Sequence, residues 1–194
     1  VNNAVSVVGG LDTNYAAVYY PWVKVLDTAA NKPVLVPPSV IVPGAIAASD
    51  RIGAEWFAPA GLNRGILGNV LEAKIRLNQS ERDTLYNEKI NPIATFPGTG
   101  VCIWGQKTLQ ERSTALDRIN VRRLLIALKK FIASSSRFLV FEQNTLQTRT
   151  RFLNIVNPYL ESVQQNQGLF AFRVQMDESN NTPDVLDRNQ LLGA

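Results

Sequence analysis

Two segments in the second half of the chain carry apolar residues at helical spacing. Over Arg118–Ile132 the residues on one side, at about 100° per residue, are Val121, Leu124, Leu125, Leu128, Phe131 and Ile132. Over Asn144–Gln165 they are Leu146, Phe152, Leu153, Val156, Leu160 and Val163. The pattern predicts two amphipathic helices, and Pro158 should kink or split the second one.

Runs of β-forming residues flank these helices. The runs are Val101–Trp104, Arg137–Glu142 and Leu169–Met176. Strands that alternate with helices predict a β-α-β-α-β core over residues 96–194. The nearly continuous apolar content of Arg137–Glu142 predicts a central strand that is covered on both faces.

The first half reads as an arm, a hairpin, a helix and loops. Val1–Tyr15 is polar and Gly-rich, which predicts an arm or loop, and Val18–Val25 with Val34–Val36 predicts a hairpin. Next come a helix from its N-cap Ser39 to Ala48 and a loop over Trp56–Gly68. A strand over Val70–Leu77 follows. The last element of this half is a helix over Glu81–Lys89, which Ser80 caps and Pro92 ends.

These elements together predict the fold class and the domain organisation. The class is α/β (α+β), with a mixed β-sheet flanked by amphipathic helices. The length suits one domain, so we predict a single core domain over 1–194. Within it, residues 1–15 form the arm, 16–95 the hairpin, helix and loop region, and 96–194 the core.

Two absences in the composition exclude several kinds of site. The chain has no His and one Cys, Cys102. A Ser-His-Asp or Cys-His nucleophile needs an imidazole, and a structural zinc site needs about four Cys or His ligands. One cysteine cannot form a disulfide within the chain. Cys102 lies in the apolar run Val101–Trp104, so we predict a buried small hydrophobe. No apolar run is long enough for a membrane helix.

Two segments come close to known ligand-binding motifs without matching them. Gly100–Thr108 superficially resembles a phosphate-binding loop, but Gln106 separates Gly105 from Lys107, and the residues after Gly100 favour a strand. An acidic cluster near the C-terminus lacks the Gly and the spacing of a calcium loop, and we predict a capped turn there. Its members are Asp177, Glu178, Asp184 and Asp187. We therefore predict no catalytic, cofactor or metal site.

The formal net charge of +4 is unevenly placed. On the first predicted helix, Arg118, Arg122 and Lys129 form one basic stripe, and Arg123 and Lys130 form another. Ile119 and Ile126 lie between the stripes, where they contact either a second surface or a neighbouring loop. The stripes could bind nucleic acid, an anionic membrane or an acidic protein surface, or they could form an ordinary solvated face. No nucleic-acid motif accompanies them. An internal salt bridge from Arg122 or Arg123 to Glu142 is a further alternative.

Six short fragments carry a family resemblance. They are Tyr19–Pro38, Val42–Pro59, Trp104–Leu109, Asn120–Arg123, Val140–Asn144 and Asp177–Pro183. Their order and types resemble the C-terminal core of contractile tail sheath proteins, with YYPW, W-x-A-P-A, W-G-x-[RK]-T-L, N-V-R-R and V-F-E-x-N motifs. Asp177 with Asn181-Thr182-Pro183 resembles the family's D-x-x-N-T-P turn, with one residue more between the Asp and the Asn. The family's N-terminal arm, outward-facing domains and C-terminal arm have no counterpart here. We therefore expect a fragment of a longer chain, with its terminal arms missing.

The resemblance implies a structural and non-enzymatic function. Sheath subunits stack as hexameric rings around an inner tube, and contraction drives the tube through the host envelope. The implied partners are neighbouring subunits joined by strand addition, the inner tail tube protein, and the baseplate and tail terminator proteins. Strand addition further implies that the core sheet ending near Met176 offers an open edge to a partner's arm. The implied location is the virion tail, assembled in the host cytoplasm, with no cofactor and no membrane insertion. The basic helix is then the candidate surface for the tube or an adjacent subunit. Nucleic-acid binding is the main alternative, and nucleotide hydrolysis a weaker one.

Overall fold

β-Branched and aromatic runs form six strands, all within the first of two compact units that make up the computed structural model. The units are Val1–Leu124 and Leu125–Ala194, and every residue from 1 to 194 is described. The strands are β1 (Val18–Tyr20), β2 (Val23–Asp27), β3 (Lys32–Val36), β4 (Val70–Ala73), β5 (Ile90–Phe96) and β6 (Gly100–Ile103). The helices are α1 (Asn2–Val8), α2 (Pro38–Ile52), α3 (Gly61–Arg64), α4 (Gln79–Asn87), α5 (Ile119–Ser136), α6 (Leu146–Gln165) and α7 (Pro183–Asp187).

The six strands form two three-stranded sheets. One sheet has the order β1-β5-β6, in which β1 runs parallel to β5 and β6 antiparallel to it. The other has the order β3-β2-β4 and is antiparallel. The mixed α and β content that the sequence predicts is confirmed, although two small sheets replace the single predicted one.

Strand β5 supplies residues to two hydrophobic clusters of the first unit. Ile93 packs in a cluster with β2, α2 and β6, whereas Ile90 packs in a second cluster with Leu85 of α4. Residues 90–94 are all buried. A strand covered on both faces reads as a continuous apolar run instead of an alternating one. The sequence does not predict this strand, because Pro92 indicates the end of a helix there.

Helix α4 shows how local sequence sets an element's start. Asn78 is its N-cap and accepts a hydrogen bond from the Glu81 amide at 2.9 Å, while the Glu81 carboxylate accepts one from the Asn78 amide at 2.9 Å. This capping box satisfies backbone donors that the first turn leaves free. The predicted caps Ser80 and Ser39 are both wrong, since each lies inside its helix.

Two predicted strands of the second unit are wrong. Residues 137–142 form a 3₁₀ turn at Arg137–Leu139 followed by a tight bend, in which Phe141 has φ 72°. Leu169–Met176 contains no strand either. The predicted β-α-β-α-β core over 96–194 is therefore replaced by one strand followed by helices. A run of β-forming residues becomes a strand only where a partner strand completes its hydrogen bonds, and this unit has none.

Smaller differences concern the ends and interruptions of elements. Residues 2–8, predicted as arm or loop, form α1. The predicted strand Val18–Val25 is divided into β1 and β2 at Pro21. Helix α6 continues through Pro158, and α5 extends over the serines at 134–136 that were predicted as a turn. None of the helices combines the length and apolar character needed to cross a bilayer.

Candidate assembly surfaces

The three arginines of the predicted basic stripes are engaged inside the first unit. Arg123 forms two parallel hydrogen bonds to the Asp50 carboxylate at 2.9 and 2.5 Å and also donates to the Glu55 carbonyl. Arg122 is 8% exposed, donates to the Asn14 side chain and lies over the Tyr15 ring at 4.1 Å. These contacts hold the 12–15 segment and the loop after α2 against the start of α5.

Arg118 has two partners as well. Its Nε donates to the Asp117 carboxylate at 3.1 Å, and one terminal nitrogen donates to the Tyr86 hydroxyl at 2.6 Å. The alternative partner Glu142 is wrong for Arg123, whose carboxylate partner is Asp50. Three of the five candidate contact residues are thus largely occupied by their own chain.

The two lysines of the stripes are available to other molecules. Lys129 and Lys130 are exposed on α5 within the second unit and form no ion pair. Ile126 is also exposed, whereas Ile119 is buried in the first unit. The free part of the candidate surface is therefore Ile126, Lys129 and Lys130.

The region that resembles a phosphate-binding loop is held by three hydrogen bonds of one buried side chain, Asn91. Asn91 of β5 is fully buried, and its amide nitrogen donates to the carbonyls of Val18 and Lys107 at 3.1 and 2.8 Å. Its amide oxygen accepts from the Lys107 backbone at 2.6 Å. Gly105 is required beside it, because a Cβ there would lie 2.8 Å from the Asn91 oxygen. The segment after Gly100 forms β6 and does not wrap a phosphate.

Cys102 in β6 is buried, as predicted. Desolvation raises the pKa of its thiol to about 11, against a smaller lowering by Arg82. The thiol is therefore protonated at neutral pH and is a poor nucleophile.

The acidic segment near the C-terminus is a capped turn, as predicted. The Asp177 carboxylate accepts from the Ser179 side chain and from its amide, and these hydrogen bonds lower the pKa of Asp177. Asn181 is buried and exchanges hydrogen bonds with the Leu192 backbone at 2.8 and 2.9 Å. No cluster of His, Cys, Asp or Glu in the chain could hold a metal ion. Through Asn181, the turn over Asp177–Pro183 thus holds the segment around Leu192 in place within the second unit.

The second unit also contains an apolar groove of about 490 Å³. Its walls include Leu139, Phe152, Val156, Leu160, Val174 and Met176. The residues that line it come from α5, the 3₁₀ turn, α6 and the two chain segments that meet where Gln175 and Ala194 exchange backbone hydrogen bonds at 2.6 and 2.8 Å. The sequence gives no signal for this groove, because its β-forming runs favour strands here.

The segment beside the groove leaves its backbone donors free. The amides of residues 169–174 donate to no group of the chain. Phe170 in this segment is fully exposed, and elsewhere in the second unit Phe138, Val140, Phe141 and Leu146 are strongly exposed as well. Exposed apolar surface of this kind marks interaction sites in folded proteins.

Comparison with known proteins defines the class. Residues 2–109 match the model of the phage tail sheath protein central domain, and residues 111–192 match that of the phage tail sheath C-terminal domain. Among solved structures, the sheath complex of the PVC extracellular contractile injection system in its contracted state has a TM-score of 0.86 and 29% identity, over all of this chain and 55% of that one. The contracted helical sheath of the anti-feeding prophage has a TM-score of 0.81 and 28% identity, over 94% and 51%. The fold is that of contractile sheath proteins.

Curated relatives identify the family more closely. The tail sheath protein of Vibrio phage KVP40 is 36% identical over 194 residues, 99% of this chain and 29% of the relative. That of Enterobacteria phage T4 is 40% identical over 157 residues, 81% of this chain and 24% of the relative. The chain belongs to the phage tail sheath protein family. It spans less than a third of the length of these relatives.

Proposed function

We propose that the protein is a structural subunit of a contractile tail sheath. In this function it polymerises as stacked hexameric rings around an inner tube, and its contraction drives the tube through the host envelope. Family membership and the contracted-sheath neighbours support the proposal. The proposed location is the tail of the virion, after assembly in the host cytoplasm. The alternative of a nucleic-acid-binding helix has lost its main support, because three of its arginines bond within the chain.

One observation in the second unit carries the assembly proposal. The amides of residues 169–174 lack partners, and they lie in a segment that also lines the apolar groove through Arg173 and Val174. A backbone with free donors beside an apolar groove can accept a strand from another chain. The predicted open edge near Met176 is therefore proposed here as a docking segment for a neighbouring subunit, although no strand is present before docking.

Contraction of such an assembly requires no chemistry by the subunit. The free energy is stored in subunit contacts made at assembly, and rigid parts move while the added strands act as hinges. We propose on this ground that the protein is not an enzyme. Baseplate and tail terminator proteins are the further proposed partners, at the two ends of the sheath.

The first test uses negative-stain electron microscopy of the full-length protein and of variants in which proline removes a backbone amide of residues 169–174. Ala171→Pro and Phe172→Pro each remove one amide, and successive amides of a strand point to opposite sides. We expect the unchanged protein to form hollow helical tubes and at least one proline variant to remain unassembled. Normal tubes from both variants would refute docking at residues 169–174.

The second test concerns the inner tube. We propose that Lys129 and Lys130 contact an acidic surface on the tube, with Arg118, Arg122 and Arg123 positioning the helix that carries them. Exposed charge contacts are weak singly and screened by salt, but they repeat along the sheath. Lys129→Glu with Lys130→Glu should block assembly around purified tubes. The control is Lys32→Glu with Lys74→Glu, which makes the same charge change at exposed lysines of the first unit. Equal assembly of the two double variants would refute the contact.

A further inference from the structure

Arg149 of α6 is a buried cation that has no partner. It is 7% exposed, and its side chain forms no hydrogen bond or ion pair. Its Nε and one terminal nitrogen are buried and unsatisfied. Arg118, Arg122 and Arg123 differ from it, since each has a hydrogen-bond acceptor within the chain.

An arginine cannot avoid this situation by losing its proton. The guanidinium stays charged at any pH that a protein tolerates, and it has five N–H donors in a fixed fork. Burying such a group without an acceptor is unfavourable, whereas a carboxylate can satisfy two donors at once. The unoccupied fork therefore indicates a missing acceptor, and a carboxylate fits it best.

A second unsatisfied group lies close by in sequence. The side-chain oxygen of Asn144, just before the N-cap of α6, is buried without a donor. Its amide nitrogen is used, since it donates to Asn181 and to the Gln190 carbonyl. These are the only buried side-chain groups of the second unit that lack a partner. Arg149 needs a hydrogen-bond acceptor and the Asn144 oxygen needs a donor. A polypeptide segment with an acidic side chain supplies both, since its carboxylate accepts and its backbone N–H groups donate.

The position of Arg149 connects this polar pair to the apolar groove. Helix α6 buries Arg149, Phe152, Val156, Leu160 and Val163, which share one helical side at intervals of three or four residues. Phe152, Val156 and Leu160 line the groove. Arg149 therefore lies one turn before them, at the N-terminal end of the same helical side.

We propose that Arg149 recognises a carboxylate on a segment of a second copy of this protein, whose apolar side chains occupy the groove. The proposal rests on the proposed sheath function and adds a residue that determines which segment can dock. The free amides of residues 169–174 bind any backbone, whereas an unpaired guanidinium selects an acidic group at one end of the segment. Charge complementarity thus fixes the register of the added segment.

The test separates a role in binding from a role in folding. In the full-length protein, Arg149→Met removes the charge and keeps an unbranched side chain, and Arg149→Lys keeps the charge without the planar fork. Arg151→Met is the matched control, because Arg151 is exposed two residues further along α6. The thermal midpoint of the unassembled protein and the critical concentration for polymerisation, by light scattering, are measured for each.

We expect Arg149→Met to leave the thermal midpoint unchanged or raised, because it removes an unpaired buried charge. Its critical concentration should rise about 30-fold or more, as expected for truncating one partner of a buried charge pair. Arg149→Lys should show a smaller rise, and Arg151→Met less than about a threefold change. Electron cryomicroscopy of unmodified tubes should place a carboxylate of a neighbouring subunit within hydrogen-bond distance of Arg149.

Three results would overturn the inference. The first is that Arg149→Met and the unmodified protein polymerise equally well. This result would refute the role of Arg149 without contradicting the sheath function. Another is an assembled structure in which water, the same chain or the inner tube satisfies Arg149. A third is failure of the unmodified protein to polymerise at all, which would refute the sheath function together with the inference.

Discussion

The buried amide of Asn91 offers the sharpest test of how the first unit is held together. Its three hydrogen bonds join β5 to Val18 of β1 and to both backbone groups of Lys107. Asn91→Ala removes all three at once and leaves two carbonyls and one amide without their partner. Asn69→Ala is the matched control, because Asn69 is exposed and its side chain forms no hydrogen bond.

The expected loss follows from the number of bonds. A hydrogen bond inside a protein contributes about 1 kcal/mol net, and a buried group left unpaired costs about 1–3 kcal/mol. Val18 and Lys107 are half-buried residues, so water can satisfy part of the loss. We therefore expect Asn91→Ala to lower the free energy of unfolding by about 3 kcal/mol, and Asn69→Ala to change it by less than about 0.5 kcal/mol.

Tryptophan fluorescence reports this unit alone. Trp22, Trp56 and Trp104 are the only tryptophans, and all three lie in Val1–Leu124. With a urea dependence of about 2 kcal/mol per M, the midpoint of Asn91→Ala should fall by about 1.5 M. A fall no larger than that of Asn69→Ala would refute the idea that this amide joins the strands.

A charged replacement at the same position adds a pH signature. Asn91→Asp keeps an acceptor for the Lys107 amide but points a carboxylate oxygen at two carbonyls. Burial and this repulsion should raise the pKa of the new carboxyl in the folded state above its value in the unfolded chain. The variant should therefore recover stability relative to the unchanged protein as the pH falls through that raised pKa. Equal destabilisation at pH 4 and pH 8 would contradict the proposed hydrogen-bond pattern.

Three further predictions concern single side chains. Arg123→Met should lower the free energy of unfolding of the first unit by about 2 kcal/mol, because Asp50 loses a bidentate and mostly buried partner. Lys32→Met, at an exposed site, should have no measurable effect in the same urea titration. Asn78→Ala should cost about 1 kcal/mol through loss of the capping box, seen as a lower midpoint. Cys102, with a thiol pKa of about 11, should react with iodoacetamide at pH 8 far more slowly in the native chain than in urea, and equal rates would contradict its burial.

The features predicted correctly from sequence are those that depend on neighbours along the chain. Helices predicted at Arg118–Ile132 and Asn144–Gln165 are found at Ile119–Ser136 and Leu146–Gln165. The β2–β3 hairpin is likewise local. An apolar stripe at helical spacing or a short turn between two β-forming runs carries its own signal.

Strand β5 was missed because its support is distant. Pro92 lacks an amide and argues against a central strand. In the structure it pairs with Tyr20 at the end of the short β1 ladder, and its carbonyl accepts from the Trp104 amide. The strand is favoured by burial on both faces, which only the assembled unit provides.

The opposite error occurred at Arg137–Glu142, where local preference was strong. FLVFE has the composition of a strand, yet no strand of the same unit is present to pair with it. β-Propensity reports how well a residue fits a paired and half-buried surface. Without the pairing, the segment turns and exposes Phe138 and Phe141.

The candidate site was only partly visible in the sequence. The charge pattern identified the basic helix, but the partner of Arg123 is 73 residues away at Asp50, and no local pattern indicates such a pair. Arg149 could have been noticed, since it continues the three- and four-residue spacing of Phe152, Val156 and Leu160. A charged residue at an apolar position was a usable signal.

The parallel pairing of β1 with β5 has a consequence for synthesis. Val18 pairs with Ile90, 72 residues later in the chain (90 − 18). At about 5–20 residues per second, a ribosome needs roughly 4–14 s to cover that interval. The β2–β3 hairpin can close meanwhile, but the backbone donors of β1 have no native partner until β5 emerges. A nascent chain of this protein is therefore exposed to wrong strand pairing for seconds, and slower translation before residue 90 should lengthen its dependence on chaperones.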